Sequence, residues 1–288
     1  MSEKSIMSLQ KIREVIKERM KNIKYKIMVL SGKGGVGKSM VTANLAVALS
    51  LKGYDVAILD ADLHGPTIPK MFGIENKKIT GFSAGIIPVT TGNKISIVSI
   101  DFILPSEDTP VVWRGPIKTK AIIEFLSSVV WGYKDFLLID LPPGTGDEAL
   151  SIAQFIPNVD GVVIVTIPSL VSQHVVRKAI SFAQKLDIPI LGIIENMSYF
   201  RCPQCGQIHH IFGEKGGEAI AEEMNIDFLG AIPIDRRIAE CSDKGESFLV
   251  KYSDSEIVKS FMKIAEQIIK KVENRKNRYS HRPAGKRE

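Results

Sequence analysis

The residues most able to do chemistry in this 288-residue chain lie together near its start: Gly32-Lys33-Gly34-Gly35-Val36-Gly37-Lys38-Ser39. They follow an apolar run, Ile27 to Leu30, and precede a helix-like stretch, Val41 to Leu51. The spacing G-x-x-x-x-G-K-S between a strand and a helix is that of a phosphate-binding loop. Glycines let the backbone curl until its N–H groups face a phosphate, and the helix N-terminus adds its dipole. Lys38 is then expected on the β- and γ-phosphates, and the Ser39 hydroxyl on Mg²⁺. Gly32, Lys33, Gly34, Gly35, Val36, Gly37, Lys38, Ser39 and Met40 form the expected nucleotide-binding segment.

Two further sites carry carboxylates just past apolar strands. Val56 to Leu59 ends in Asp60-Ala61-Asp62, and Phe136 to Ile139 ends in Asp140, followed by Leu141-Pro142-Pro143-Gly144. A hydrophobic strand ending in aspartate, beside a phosphate loop, reads as the element that holds Mg²⁺, through water for an ion that keeps much of its hydration shell. Asp60 and Asp62 suit an outer Mg²⁺ ligand and an orienter of the attacking water. Their chemistry alone does not order the two roles, and an aspartate after a strand is often only a cap or turn residue.

Cys202-Pro203-Gln204-Cys205-Gly206 offers two thiolates from one turn, suited to a single metal or cluster. His209 and His210 follow closely, so spacing leaves two readings open: a zinc site of two cysteines with one or two histidines, and an iron–sulfur site completed by another chain. A thioredoxin-like redox pair would open a helix after a strand, whereas this pair precedes a polar turn. Cys241 stands alone and reads as an inert core residue.

Strand-like runs positioning these groups are expected at Lys26–Leu30, Val56–Asp60, Ile95–Ile100, Phe136–Asp140, Gly161–Thr166, Ile190–Ile194 and Phe228–Ala231. Helices are expected over Ser39–Leu51, Ile117–Val130, Val171–Leu186, Glu214–Met224 and Asp254–Glu273. Strands apolar throughout are buried on both faces. Their alternation with helices predicts an α/β fold: a doubly wound, mostly parallel sheet. Ile6, Leu9, Ile12, Ile16 and Met20 make one stripe of an N-terminal amphipathic helix. The expected organisation is that helix over 1–24, an ATPase domain over 25–273 with a metal-site insertion near 199–212, and a basic, disordered tail over 274–288. Ile257, Phe261, Ile264, Ile268 and Val272 share one face of the last helix, which suits packing on the sheet and also a membrane surface.

The formal charge of +6 invites a nucleic-acid reading. From Lys270 to Glu288, however, eight basic residues face two acidic ones, and the rest of the chain is neutral. The surplus is a property of the tail, through which nucleic acid or an anionic membrane could be touched. No apolar run is long enough to span a bilayer. Three cysteines, two of them in one CxxC, suggest no disulfide framework. With no signal-like apolar segment after Met1, a cytoplasmic setting is expected.

The stretch SGKGGVGKS resembles the deviant P-loop ATPases, which include the Min and Par positioning proteins, the nitrogenase iron protein and the Mrp/ApbC iron–sulfur carriers. That resemblance implies that Lys33 reaches across a homodimer to the partner's phosphates. Further blocks narrow it: DADLHGPTIPKMFG (Asp60–Gly73), WRGP (Trp113–Pro116), DFLLIDLPPGTGDEAL (Asp135–Leu150), ENMSYF with CPQCG (Glu195–Gly206), FGEKGG (Phe212–Gly217) and LGAIPID (Leu229–Asp235) look like the Mrp/ApbC branch. The branch implies a slow ATPase that holds a labile [4Fe–4S] cluster between the CxxC pairs of two chains. Its partners would be cluster-assembly scaffolds and apo-proteins. By position, the resemblance puts Lys33, Lys38 and Asp62 in catalysis. It assigns Ser39, Asp60 and Asp140 to Mg²⁺, Asn196 and Pro233 to adenine, and Cys202 and Cys205 to the cluster. Met40 stands where the pattern has threonine, and Ser169 follows Pro168 where it has glutamine. A Min- or Par-type role on membrane or DNA is the alternative, supported by the basic tail alone. A zinc-stabilised nucleotide switch is another.

Overall fold

The computed structural model describes residues 3–62, 65–78, 81–82, 85–103 and 115–280. The first helix, α1 (Glu3–Arg19), leads into the central strand β1 (Ile23–Ser31). Helix α2 (Lys38–Leu51) and strand β2 (Val56–Asp60) follow, then a one-turn helix α3 (Ile68–Met71). Four short strands come next: β3 (Gly81–Phe82), β4 (Gly85–Ile86), β5 (Val89–Thr90) and β6 (Ser96–Ser99). Alternation then resumes through α4 (Gly115–Ser128), β7 (Lys134–Asp140), α5 (Asp147–Phe155), β8 (Gly161–Thr166), α6 (Leu170–Lys185) and β9 (Ile190–Glu195). A small hairpin, β10 (Phe200–Arg201) and β11 (Ile208–His209), precedes α7 (Gly216–Glu223) and β12 (Phe228–Ala231). Helices α8 (Arg236–Asp243), α9 (Phe248–Lys251) and α10 (Glu256–Ser280) close the described chain.

The main sheet runs β12-β9-β8-β1-β7-β2-β6-β5, parallel except for the edge pair β5–β6. β1 sits centrally between β7 and β8, and its residues alternate between two cores. Ile27 and Val29 pack with residues of α2, α8, α9 and α10 on one face; Met28 and Leu30 pack with α1, α4, α5, α6 and α7 on the other. Burial on both faces is why these strands lack a polar alternation. All seven expected strands are present, and the doubly wound α/β class is the observed one. The two-residue strands β3, β4, β5, β10 and β11 are too short to leave a periodic signal.

Two expected boundaries are corrected. The N-terminal helix does not extend to residue 24: it stops at Arg19, and β1 already begins at Ile23, which is buried. Its stripe docks as expected where side chains are described, with Ile16 and Met20 buried and Ile12 partly so. At the other end, α10 continues to Ser280, so 274–280 are helical and not part of a tail. Lys276 has a tertiary reason to be ordered. Its ammonium donates to Lys24 O at 2.9 Å and lies 4.9 Å from the centroid of the Tyr25 ring. The tail's remainder, 281–288, lies outside the described residues, as do Leu63 and His64 of the first block and Trp113 and Arg114 of WRGP. The apolar face of α10 is buried in the core, with Phe261 and Ile268 fully enclosed. Among the described residues no helix is long and apolar enough to cross a membrane.

Candidate functional site

In an open parallel sheet, ligands gather where the carboxyl ends of the strands meet. Register brings the expected groups abreast there. Asp60 is the cross-strand partner of Asp140 on one side and of Ser99 on the other, so residues 80 positions apart in sequence become neighbours. The loop leaving β1 caps the same edge, where Gly144 N donates to Ser31 O at 2.9 Å.

Lys38 is buried at the start of α2, its ammonium 2.8 Å from Asp140 Oδ2. Asp140 also accepts from Ser39 Oγ at 2.6 Å and from Thr42 Oγ1 at 2.7 Å. A fully buried carboxylate is tolerable only with such partners. Without a phosphate, Asp140 is the counterion of Lys38. The donor set of Ser39, Asp60 and Asp140 consists of oxygens, the ligands a hard cation such as Mg²⁺ prefers. Asp60 accepts from Ser99 Oγ at 3.0 Å and from Asp62 N at 3.3 Å. Burial first, and the neighbouring Asp140 second, push the Asp60 carboxyl well above the usual range; Lys38 and the two hydrogen bonds oppose this. Asp62 lies two residues beyond β2 and is half-buried.

Gly37 caps α2 with φ of 77°, a left-handed conformation. A Cβ there would lie 2.3 Å from Asn196 Nδ2. Both conformation and space therefore require glycine. Asn196 follows β9 and donates to Val36 O at 2.8 Å, fastening the phosphate loop to the end of that strand. Gly34 and Gly35 face open space, with room for phosphate against the loop backbone. Lys33 is half-buried, and among the described residues its ammonium has no ion-pair partner. Met40 packs partly on the core, and its carbonyl accepts from Asn44 Nδ2. Ser169, the other departure from the pattern, caps α6 by accepting from Ser172 N.

The two cysteines sit six and nine residues beyond Asn196, at the tip of the β10–β11 hairpin. Cys202 N donates to Gln207 O and Gly206 N to Cys202 O, closing a tight turn. Cys205 is exposed, Cys202 half-exposed, and neither is in a disulfide. N–H groups of Cys205 and then Gln204, with the Cys205 side chain, lower the Cys202 pKa from the ordinary thiol value. The described residues of one chain assemble no group of three His, Cys, Asp or Glu able to hold a metal. The single-chain zinc set of both cysteines with His209 or His210 is therefore not formed. His210 instead points to Glu214 at 3.8 Å. Pro233 is buried after β12 and lines a groove of about 860 Å³ with Phe200, Arg201 and Cys202. The structure thus brings Lys38, Ser39, Asp60, Asp140 and Asn196 together, and places Pro233 beside the cysteine hairpin. Cys241 is buried, and burial raises its pKa.

Three residues of the site escaped the sequence reading. Thr42 lies one helical turn beyond Lys38 and Ser39, a spacing that places it on their face. Ser99 becomes visible only through the register of β6 against β2. Glu195 ends β9 fully buried, accepting from Ser198 Oγ and from Gly217 N. A Cβ on Gly217 would come within 3.0 Å of the Glu195 carboxylate, which explains the last glycine of FGEKGG.

A phosphate loop on a central parallel strand, with lysine, serine and two strand-end aspartates converging on it, defines a P-loop nucleotide-binding protein. Residues 22–269 match the ParA-type family described as NUBPL iron-transfer P-loop NTPase, and the chain belongs to that family of nucleotide-hydrolysing proteins. It is similar to an iron-sulfur cluster carrier protein of Saccharolobus solfataricus, 54% identical over 259 residues that cover 90% of this chain and 88% of that one. It is also similar to a cytosolic Fe-S cluster assembly factor NUBP2 homolog of Dictyostelium discoideum, 48% identical over 84% of this chain and 92% of that one. Among solved structures, a nucleotide-binding protein of Archaeoglobus fulgidus in complex with ADP superposes with a TM-score of 0.73 at 44% identity, covering 82% and 92% of the two chains. The cell-division ATPase MinD of Pyrococcus furiosus shares the fold at a TM-score of 0.66 and 26% identity, covering 86% and 99%.

Proposed function

We propose that this protein is an ATP-dependent iron–sulfur cluster carrier. In this reading two chains share one [4Fe–4S] cluster through Cys202 and Cys205 of each and hand it to apo-proteins. The observation that carries it is the placement of two accessible thiols at a hairpin tip, joined by five residues to the asparagine that fastens the phosphate loop. One chain supplies two sulfurs, and a cubane takes four cysteine ligands. A two-fold dimer with both hairpins on its axis supplies them. The carrier names of the relatives and the ADP bound by the Archaeoglobus protein support the cargo and the nucleotide.

The chain's own residues account for slow hydrolysis. Lys38 would turn from Asp140 to the β- and γ-phosphates, and Ser39 and Asp140, with Asp60 behind, would hold Mg²⁺, which would supply neutralisation of phosphate charge. Asp62 orients the water that attacks the γ-phosphorus, as the bond to the β–γ bridging oxygen breaks and ADP and phosphate form. Lys33, without an ion-pair partner among the described residues, supplies positive charge to the partner's site. Asn196 and Pro233 flank the adenine. Delivery is a ligand exchange in which acceptor thiolates replace the carrier's cysteines without a change in oxidation state.

Anaerobic reconstitution with iron and sulfide tests the reading. About two irons per chain with visible absorbance, lost in Cys202→Ala/Cys205→Ala, is expected. Tight zinc at one per chain, retained against iron, would overturn it and leave a nucleotide switch.

A further inference from the structure

The hairpin that carries the thiols has two residues per strand, too few to set its own orientation. At its base, Ile234 N donates to Tyr199 O at 2.7 Å, and Phe200 bridges Ile234. The other tie is made by side chains. Arg201 directs Nε to Glu256 Oε2 at 3.2 Å and Nη2 to Glu256 Oε1 at 3.5 Å. Its remaining arm, Nη1, reaches the carbonyl of Gly206 at 3.3 Å, one residue beyond Cys205. Tyr199 OH donates to the same Glu256 at 2.8 Å. One planar guanidinium, adjacent in sequence to Cys202, thus grips the far side of the cysteine turn and anchors it elsewhere.

The anchor is the first turn of α10, where an acidic residue also suits the helix dipole. Helix α10 packs along α2, the helix that begins with Lys38 and Ser39, and Phe261 and Ile264 share a core with Leu45 and Leu49. The cysteine turn is therefore connected to the phosphate loop twice: by the chain segment from Asn196, and by Arg201 through Glu256 and α10.

We propose that Arg201 and Glu256 form a positioning clamp, holding the Cys202–Cys205 turn in fixed register with the nucleotide site, so that breaking it uncouples nucleotide state from cluster release. The inference rests on the carrier reading above. Arg201 and Glu256 are each about half exposed, at 48% and 51%. Exposed pairs add little to stability, so the clamp is not needed to fold the chain. Its contribution is geometric, which a fork of fixed shape supplies and a flexible ammonium does not.

The test uses the full chain, loaded anaerobically with iron and sulfide. Cluster release to a ferrous chelator is followed by loss of visible absorbance, with ATP and with ADP. Arg201→Ala and Glu256→Gln are expected to keep wild-type iron content, thermal midpoint and hydrolysis rate. The ratio of release rates between the two nucleotides should shrink about fivefold, the lower end of usual coupling between sites. Arg201→Lys should fall between, keeping the charge and losing the grip on Gly206. An unchanged ratio in both variants would overturn the clamp while leaving the carrier reading intact. A wild type whose release ignores nucleotide would overturn the clamp and the ATP dependence of release, leaving cluster carriage itself intact. Parallel losses of iron and thermal midpoint in both would overturn it as well, by making the pair a fold staple. A wild type that takes up no cluster would remove the carrier reading itself, and the clamp with it.

Discussion

The phosphate loop and the cysteine hairpin are distant in sequence, joined through the hydrogen bond from Asn196 to Val36 O, and are built on opposite terms. Around the loop, Lys38, Asp60, Asp140 and Asn196 are buried and each has a bonded partner: Lys38 and Asp140 pair with one another, Asp60 with Ser99, and Asn196 with the carbonyl of Val36. At the hairpin tip the thiols are accessible, and the side-chain ties of the turn run through half-exposed Arg201 and Glu256. The first arrangement pre-organises charge for a phosphate and excludes alternatives. The second leaves two sulfurs short of a full ligand set, which suits cargo that has to leave. In the proposed function, a rigid, self-satisfied site and an exposed, incomplete one would divide the labour of switching and carrying.

The sharpest way to separate the two regions is to disable each in turn. Lys38→Ala should lower hydrolysis by about 10³-fold. It should also destabilise the nucleotide-free chain by about 3 kcal/mol, because it leaves Asp140 buried without its cation. Iron content after reconstitution should stay near wild type. Conversely, Cys202→Ala/Cys205→Ala should abolish iron binding and leave hydrolysis within about twofold, since surface changes away from a site cost little. Steady-state phosphate release and iron analysis on the two variants check both halves. Cross-effects of equal size would show that the regions are not separable.

Smaller effects sharpen the account of the buried side. Lys33→Ala should reduce hydrolysis by about 10²-fold, yet leave nucleotide affinity measured on dilute chain unchanged, if its charge acts on the partner. Asp60→Asn should slow hydrolysis and stabilise the nucleotide-free chain by about 1 kcal/mol at neutral pH. The sign follows from its raised pKa: protonated Asp60 favours the fold below the ordinary carboxylate range, and that contribution is lost as pH rises through the folded-state pKa. Thermal midpoints should therefore diverge between Asp60→Asn and wild type as pH rises, with wild type the lower. Smallest of these, Thr42→Val should cost about 1 kcal/mol in chemical denaturation by removing one hydroxyl from Asp140.

Much of the loop side was legible in the sequence because its determinants are contiguous. A G-x-x-x-x-G-K-S run and strands ending in aspartate name their chemistry without a fold. Ser99 and Glu195 were not legible, since their roles depend on which strands lie side by side and on where α7 begins. Thr42 was within reach through helical spacing. On the hairpin side, the spacing of Cys202 and Cys205 announced a ligand pair, and the choice between zinc and cluster stayed open. That His209 pairs with Phe200 across the β10–β11 hairpin, and that His210 lies by Glu214, depends on a register too short to read from the sequence. The end of α10 was misplaced because its final residues are polar. Their order comes from Lys276 against Tyr25 and Lys24, a contact between the two ends of the chain.

The central claim is that an incomplete thiol pair in one chain is completed by a second. Native mass spectrometry of the anaerobically reconstituted protein tests it most directly. The account predicts a species of two chains carrying one four-iron, four-sulfide cluster, absent from Cys202→Ala/Cys205→Ala. A single chain holding its own metal, with no two-chain cluster species at any loading, would contradict it.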